Sequence, residues 1–429
     1  MGEVVYKISR EIAYILMVLI SWMLWNQDEL LRLVMNLLLS LGFILVSKLY
    51  EKKWENITPG YVFLFVIMFI DNTICAAYYT NQTTARLTSM WLGDYYIIYF
   101  FVTIIFYAII SIYLFGMKHK SCRNIEAEKK YNKSFEISYK SADVVMDCIA
   151  VLFMLLVHYL GVFDEIFIPL YVFLILRIIL EKKKRVIYIA MLGMIIPIFG
   201  KSVFEMRYEV IQIVLPVLFF FLYTTKRKLS FMKANIIMIF AFVSLMLYGV
   251  ISEVYKLDNY YGADYDLSYV LKYQVIEFVG RQLFRLFGIW IKLGGYIIFH
   301  VQKNGLFFGL TYIKSLSGIL DFQYISLPAI SAVYNGSTYA QPGLLAEGYA
   351  NFGIAGAVLN LCVVFFLMEF FARKFVNNPT LFTFFICYVP FTKIFLDGGT
   401  LNSAVYILVL CVLLFAPTVI LKKSRIMTA

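Results

Sequence analysis

The chain has 429 residues, of which 62% are hydrophobic and only 15% charged, with a mean hydropathy of +0.80. A soluble globular chain is about half apolar and a quarter charged, which excludes a soluble domain as the body of the protein. The net charge of +11 would favour nucleic acid in a soluble chain. Here the basic residues cluster in short loops between apolar runs, so membrane topology explains them and no nucleic-acid partner is expected.

The apolar runs are about 20 residues long, the length that crosses a bilayer core as a helix. A helix satisfies its own backbone hydrogen bonds inside lipid. In chain order the predicted spans are 11–26, 30–49, 61–80, 91–116, 142–160, 164–180, 186–200, 207–224, 234–252, 343–371, 380–397 and 403–421. No small-residue cleavage site follows the first run, which therefore reads as a permanent helix. The loops sort by charge. The segment SKLYEKKWE around Lys48, the long 117–140 stretch, 181-EKKKR-185, 226-KRKLSFMK-233, 372-ARK-374 and 422-KKSR-425 alternate with loops nearly free of Lys and Arg. With Lys7 and Arg10, this set holds 25 of the 38 basic residues. Twelve spans with both termini cytoplasmic put all of it on the positive, inner side. The expected fold is an all-α polytopic membrane protein.

Residues 253–342 break the rhythm with 90 residues on the outer side. Polar, Tyr- and Gly-rich pieces such as 258-DNYYGADYDLSY-269 and 331-SAVYNGSTYAQPG-343 flank semi-apolar pieces near 270–300 and 306–320. The latter fit amphipathic helices lying on the membrane, or a re-entrant pair. Loops this long are usually functional. The organisation is thus nine helices in 1–252, an extracytoplasmic segment 253–342, and three helices in 343–429. No Walker loop or dinucleotide fingerprint is present. Five of the six cysteines lie in apolar runs and read as buried free thiols. His119, His158 and His300 make no metal cluster.

Three constellations carry chemistry, all at the predicted outer face. Arg207 opens the eighth span in 200-GKSVFEMRYEVIQ-212, beside Lys201, Glu205 and Glu209. It is either an interfacial Arg paired with a neighbouring Glu, or an anion clamp at a helix start. In 277-EFVGRQLFR-285, Glu277, Arg281 and Arg285 share a helical face. They form either a salt-bridged surface stripe or, on a membrane-hugging helix, a phosphate-binding face. In 346-AEGYANFGIAGA-357, Glu347 and Asn351 fall on one face, and Gly348, Gly353 and Gly356 flatten the helix so that another helix or a lipid chain can approach. Helix packing with Glu347 at the helix start is the plainer reading. Asp71 lies mid-span, Asp397 ends an outer helix, and Asp28 and Glu29 lie in the first outer loop.

The stretch 346-AEGYANFGIAGA-357 resembles the Glu-x-Tyr-x-Asn-Phe-Gly-x-x-Gly signature of Wzy-type oligosaccharide repeat-unit polymerases of bacteria. Glu347, Tyr349, Asn351, Phe352, Gly353 and Gly356 fall on its positions. Arg207, Arg281-Gln282 and 305-GLFFGLTYIKS-315 are similar to further features of that family, so the resemblance covers about 200–360. It implies a GT-C-like bundle of about twelve spans in the bacterial cytoplasmic membrane with its active face outside. The implied reaction moves a glycan from undecaprenyl diphosphate to the non-reducing end of a second lipid-linked unit, inverting the anomeric carbon. It implies Arg281 and Arg285 with Arg207 and Lys201 on the diphosphate, Glu347 as base or sugar ligand, and Tyr349, Asn351 and Gln282 at the substrate. No cofactor or metal is implied. The partners implied are the lipid-linked oligosaccharide, membrane lipid, a flippase and a chain-length regulator.

Other classes stay in view. A flippase would put charges near the bilayer midplane in paired halves, where only Asp71 lies. An O-antigen ligase would use a large-loop histidine, for which only His300 is available. A metal-dependent transferase would use Asp28 and Glu29, in a loop of only a few residues.

Overall fold

A computed structural model describes residues 30–53, 58–65, 89–116, 144–159, 166–181, 183–199, 207–224, 289–312, 325–327, 329–330, 343–377, 380–396 and 407–417, with a few positions between 240 and 254 and residue 405. Among the described residues every regular element is helical and no strand occurs. The helices are α1 (Leu30–Lys53), α2 (Pro59–Phe65), α3 (Ser89–Gly116), α4 (Val144–Tyr159), α5 (Phe167–Leu180), α6 (Arg185–Ile195) with a 3-10 turn Ile196–Phe199, α7 (Arg207–Thr224), α8 (Ile289–Asn304), α9 (Leu344–Asn377), α10 (Leu381–Leu396) and α11 (Ile407–Pro417). Among the described residues two stretches are long and apolar enough to cross a membrane, Ile97–Gly116 in α3 and Leu344–Phe375 in α9. The chain divides into two compact units. The first takes residues 1–122, 228–366 and 397–401, and the second takes 123–227, 367–396 and 402–429.

In the first unit, α1 and α2 form a tight corner. Thr58 caps α2 through Oγ1, which accepts from Tyr61 N at 3.3 Å. Pro59 follows at the first helical position, where its missing N–H costs nothing. Tyr50 OH bonds Thr58 Oγ1, and the Tyr50 and Tyr61 rings lie 5.3 Å apart. Phe106 of α3 then joins α2 to α9, 6.3 Å from Phe63 and 6.1 Å from Phe365.

Helix α8 departs from an amphipathic helix lying on a surface. Residues 293–298 are buried without interruption, and α8 packs along α3. A helix buried all round belongs to the interior of a bundle. The re-entrant alternative accommodates this burial, while residues 302–304 at the end of α8 are exposed.

In the second unit, α5 and α6 are joined at 181-EKKKR-185, where the charge run predicts a break. Arg185 Nε donates to Ile178 O at 2.9 Å and so serves a terminal carbonyl of α5. Phe173 of α5 meets Phe385 of α10 and Phe415 of α11, at 6.1 and 5.8 Å. Phe384 of α10 meets Phe220 of α7 and Phe375 of α9, at 5.2 and 5.6 Å. These rings bring the Thr224, Asn377, Leu381 and Pro417 ends together at one end of the unit, against the middle of α5. Cys362, Cys387 and Cys411 are buried free thiols, while Cys148 is only half-buried.

Candidate functional site

The sequence pattern predicts one continuous span over 343–371. The backbone instead breaks at Phe352 (φ −141°, ψ 23°) and Gly353 (φ 66°, ψ −151°). The second pair of angles lies where essentially only glycine goes. In a straight helix Gly348 and Gly356 would lie about 12 Å apart, and Leu344 and Asn360 about 24 Å apart. Yet a Cβ added to Gly348 would stand 2.7 Å from Ala357 Cα, and Asn360 Nδ2 donates to Leu344 O at 2.8 Å. The chain therefore folds back on itself at Phe352. Residues 344–351 form a first arm, packed antiparallel against the start of a second arm that runs 354–377. The helix that approaches the flat glycine face is the chain's own continuation.

The first arm is held by a strap, residues 305–312, that leaves α8. Phe307 N and Phe308 N donate to Ala350 O and Asn351 O at 2.9 and 3.2 Å. They satisfy two carbonyls that the end of an arm leaves without helical partners. Asn351 is fully buried and its side chain ties three pieces together. Oδ1 accepts from Gly309 N at 2.9 Å, while Nδ2 lies 2.6 Å from Thr311 Oγ1 and 2.8 Å from Glu347 O. Phe308 at φ 49° bends the strap to reach it. Behind the strap, Ile297, Val301, Phe307, Leu327, Ala346 and Ala350 form a core against which Tyr349 packs.

Glu347 sits one turn into the first arm, with only 1% of its surface exposed. Asn360 Nδ2 lies 3.5 Å from Glu347 Oε2. Burial first, then the charge of Glu347, push the Tyr312 phenol well above its ordinary range, against a hydrogen bond from Asn351 that pulls it down. The buried Glu347 carboxylate thus faces the Asn360 amide, with the Asn351 amide on the Glu347 carbonyl and the Tyr312 phenol, kept protonated, nearby. Such a cluster can accept a proton or hold a hydroxyl-bearing ligand. His300 is a neighbour of a different kind: Asn304 Nδ2 donates to its carbonyl at 2.9 Å, and its ring faces Phe307.

Of the residues singled out from sequence, the structure brings Glu347, Tyr349 and Asn351 together in the first arm. Arg207 begins α7 in the second unit, at the opposite end of that helix from its Thr224 terminus. Lys201, Arg281, Gln282 and Arg285 lie outside the described residues. Thr311, Tyr312 and Asn360 join the site without having been singled out. The signal for Asn360 was an amide in an apolar run, the type of residue that marks function or packing in a membrane segment.

The same signal marks a second polar cluster, in the second unit. Asp147 of α4 is 3% exposed and pairs with Arg177 of α5, whose Nε lies 2.9 Å from Oδ2 and whose Nη2 donates to Oδ1 at 2.9 Å. Tyr188 of α6 donates to Oδ2 at 2.6 Å, and the guanidinium lies 5.2 Å from the Phe173 ring centre. These contacts tie three helices together. Among the described residues no group of three or more His, Cys, Asp or Glu is placed to hold a metal ion.

The model of a family of unknown function (DUF6032) matches residues 3–428. No curated protein and no solved structure matches the chain.

Proposed function

We propose, for a chain that belongs to this family of unknown function, that it is a polytopic membrane glycosyltransferase. In this reading it joins lipid-linked oligosaccharide repeat units on the outer leaflet of a bacterial cytoplasmic membrane. The observation that carries the reading is the hairpin. The segment that resembles the polymerase signature is built around a buried carboxylate, and the signature's glycines are the residues that let the hairpin close. A turn meant only for packing needs no buried carboxylate, which is expensive in an apolar setting.

Twelve spans with an inner basic side are part of the proposal. The aligned helix ends of the second unit support it. The helices ending at Thr224 and Pro417 each lead into a basic segment, and 372-ARK-374 lies at the α9 end. That is the asymmetry that keeps loops in the cytoplasm. Arg207 begins α7 about 25 Å along the helix from its basic end, on the side assigned to the substrate.

In the reaction, an acceptor hydroxyl of one lipid-linked unit attacks the anomeric carbon of another. The new C–O bond forms as the bond to the diphosphate breaks. The hydroxyl proton passes to a base, and polyprenyl diphosphate leaves. Arg207, Arg281 and Arg285, with Lys201, are assigned to the departing diphosphate, where charge builds up, and Gln282 to the substrate. Glu347 is assigned as base or sugar ligand. Tyr349 is kept as a substrate contact. Asn351 serves that site through the strap, because its amide is already engaged by Gly309, Thr311 and Glu347.

The test is made in cells that assemble such units. Glu347→Ala or Arg281→Ala should abolish polymer while single units still reach the outer surface. Units trapped inside would instead favour a flippase. Purified protein that gives no product ladder from a lipid-linked unit would end the polymerase reading.

A further inference from the structure

We propose that Asn360 is the positioning residue of the Glu347 carboxylate. Nothing in the signature-like segment includes it, since it lies three residues past that segment in what reads as plain apolar helix. The hairpin brings it back. Its buried amide nitrogen donates to Leu344 O at 2.8 Å, locking the two arms, and lies 3.5 Å from Glu347 Oε2. One donor group therefore both closes the hairpin and faces the carboxylate. The side-chain type fits the task. An amide of this length offers hydrogens to two oxygens, whereas aspartate would offer none and add a second charge, and leucine would offer nothing. The other groups gathered at this point are the Tyr312 phenol and the Asn351 amide. The latter spends its hydrogens on Thr311 Oγ1 and the Glu347 carbonyl. Asn360 is thus a donor that faces the carboxylate and closes the hairpin at once. For the reaction it serves, the proposal rests on the polymerase reading. For the Asn360–Glu347 coupling it does not.

The test therefore avoids glycan chemistry. Full-length protein in detergent is treated with dicyclohexylcarbodiimide, an apolar reagent that adds to protonated carboxyl groups in apolar surroundings. Modification of the Glu347 peptide is followed by mass spectrometry at one fixed pH, with Glu347→Gln as the blank. Removing a donor to the charged form favours the protonated form. Asn360→Leu and Asn360→Asp should therefore each raise the rate of Glu347 modification about tenfold, the scale of one hydrogen bond to a charged group. Asn360→Ser, which keeps a donor, should stay nearer the wild-type rate. Asn360→Asp preserves size and shape, so it carries the test even if the leucine variant does not fold. Unchanged modification in the aspartate variant, or none in any variant, overturns the proposal. A wild-type protein that polymerises nothing would sink the polymerase reading and leave the labelling ratio intact.

Discussion

Gly348→Ala is the sharpest perturbation of the hairpin. An added Cβ would meet Ala357 Cα at 2.7 Å and the Gly356 carbonyl carbon at 2.8 Å. Both are backbone atoms of the opposite arm, so no side chain can swing aside. Carbon atoms rest about 3.5–4.0 Å apart, so the arms must separate by about 1 Å. Overpacking of this kind costs about 1–3 kcal/mol. The same movement stretches the 2.8 Å contact from Asn360 to Leu344 O beyond hydrogen-bond range, which adds about 1 kcal/mol. The sum is about 2–4 kcal/mol. Gly193→Ala is the matched control, because its Cβ would meet nothing within 4 Å. There the gain in helix propensity, up to about 1 kcal/mol, goes uncontested. The assay is thermal unfolding of both purified proteins in one detergent. Gly348→Ala should melt several degrees below wild type, and Gly193→Ala at or above it. Equal melting of the two variants would mean that the arms do not touch at Gly348, and the hairpin would have to be abandoned.

Three further outcomes follow from particular contacts. Gly353→Ala meets no atom within 4 Å but must hold φ 66°, so strain alone should cost about 1–3 kcal/mol in the same melt. The Tyr312 phenol is raised by burial and by Glu347, so the folded state keeps a proton that the unfolded state releases. Stability should hold below about pH 10 and fall as pH rises past it. Tyr312→Phe should lessen that alkaline slope, to which other buried tyrosines also contribute, and an unchanged slope would refute the assignment. Arg177→Leu leaves Asp147 buried without its cation, which should cost about 3–5 kcal/mol. The double change with Asp147→Leu should recover part of the loss, and a fully additive loss would argue against the pair.

The helices of the second unit were largely legible in the sequence. Apolar runs end where charges begin, and 181-EKKKR-185 separates α5 from α6 within a residue of the predicted bounds. The hairpin was not legible. The run 343–371 is apolar on average despite Glu347, Asn351, Asn360 and Glu369, so hydropathy sees one helix, and glycine is tolerated in such helices. No proline or charge marks the turn at Phe352–Gly353. The three glycines were noticed as a flat face, but sequence spacing cannot say that the approaching helix is eight residues away in the same chain. Asp147 and Arg177 are equally hidden in the sequence. They lie 30 residues apart, each alone in an apolar run, and only the packing of α4 on α5 makes them a pair. Sequence leaves α8 open between a helix lying on the membrane and a re-entrant one, because polar loops surround it. Its burial depends on α3, nearly two hundred residues earlier.

The strap and the signature hairpin have to be considered as one structure. A first arm of eight residues rises only about 12 Å, too little to cross a bilayer and short enough that most of its carbonyls and amides are terminal ones. Those groups need partners wherever water is scarce. Gly343 O accepts from Glu347 N, and the strap amides of Phe307, Phe308 and Gly309 take up Ala350 O, Asn351 O and Asn351 Oδ1. The second arm contributes Asn360. Take the strap away and the arm loses its outer end. Take Asn360 away and it loses its hold on the second arm. Either loss reaches Glu347, which sits between the two ends. An arrangement that only had to turn a helix could meet these needs with apolar side chains. This one spends two buried amides, a phenol and a strained strap around a single carboxylate, and that concentration is the physical ground for seeking the chemistry there.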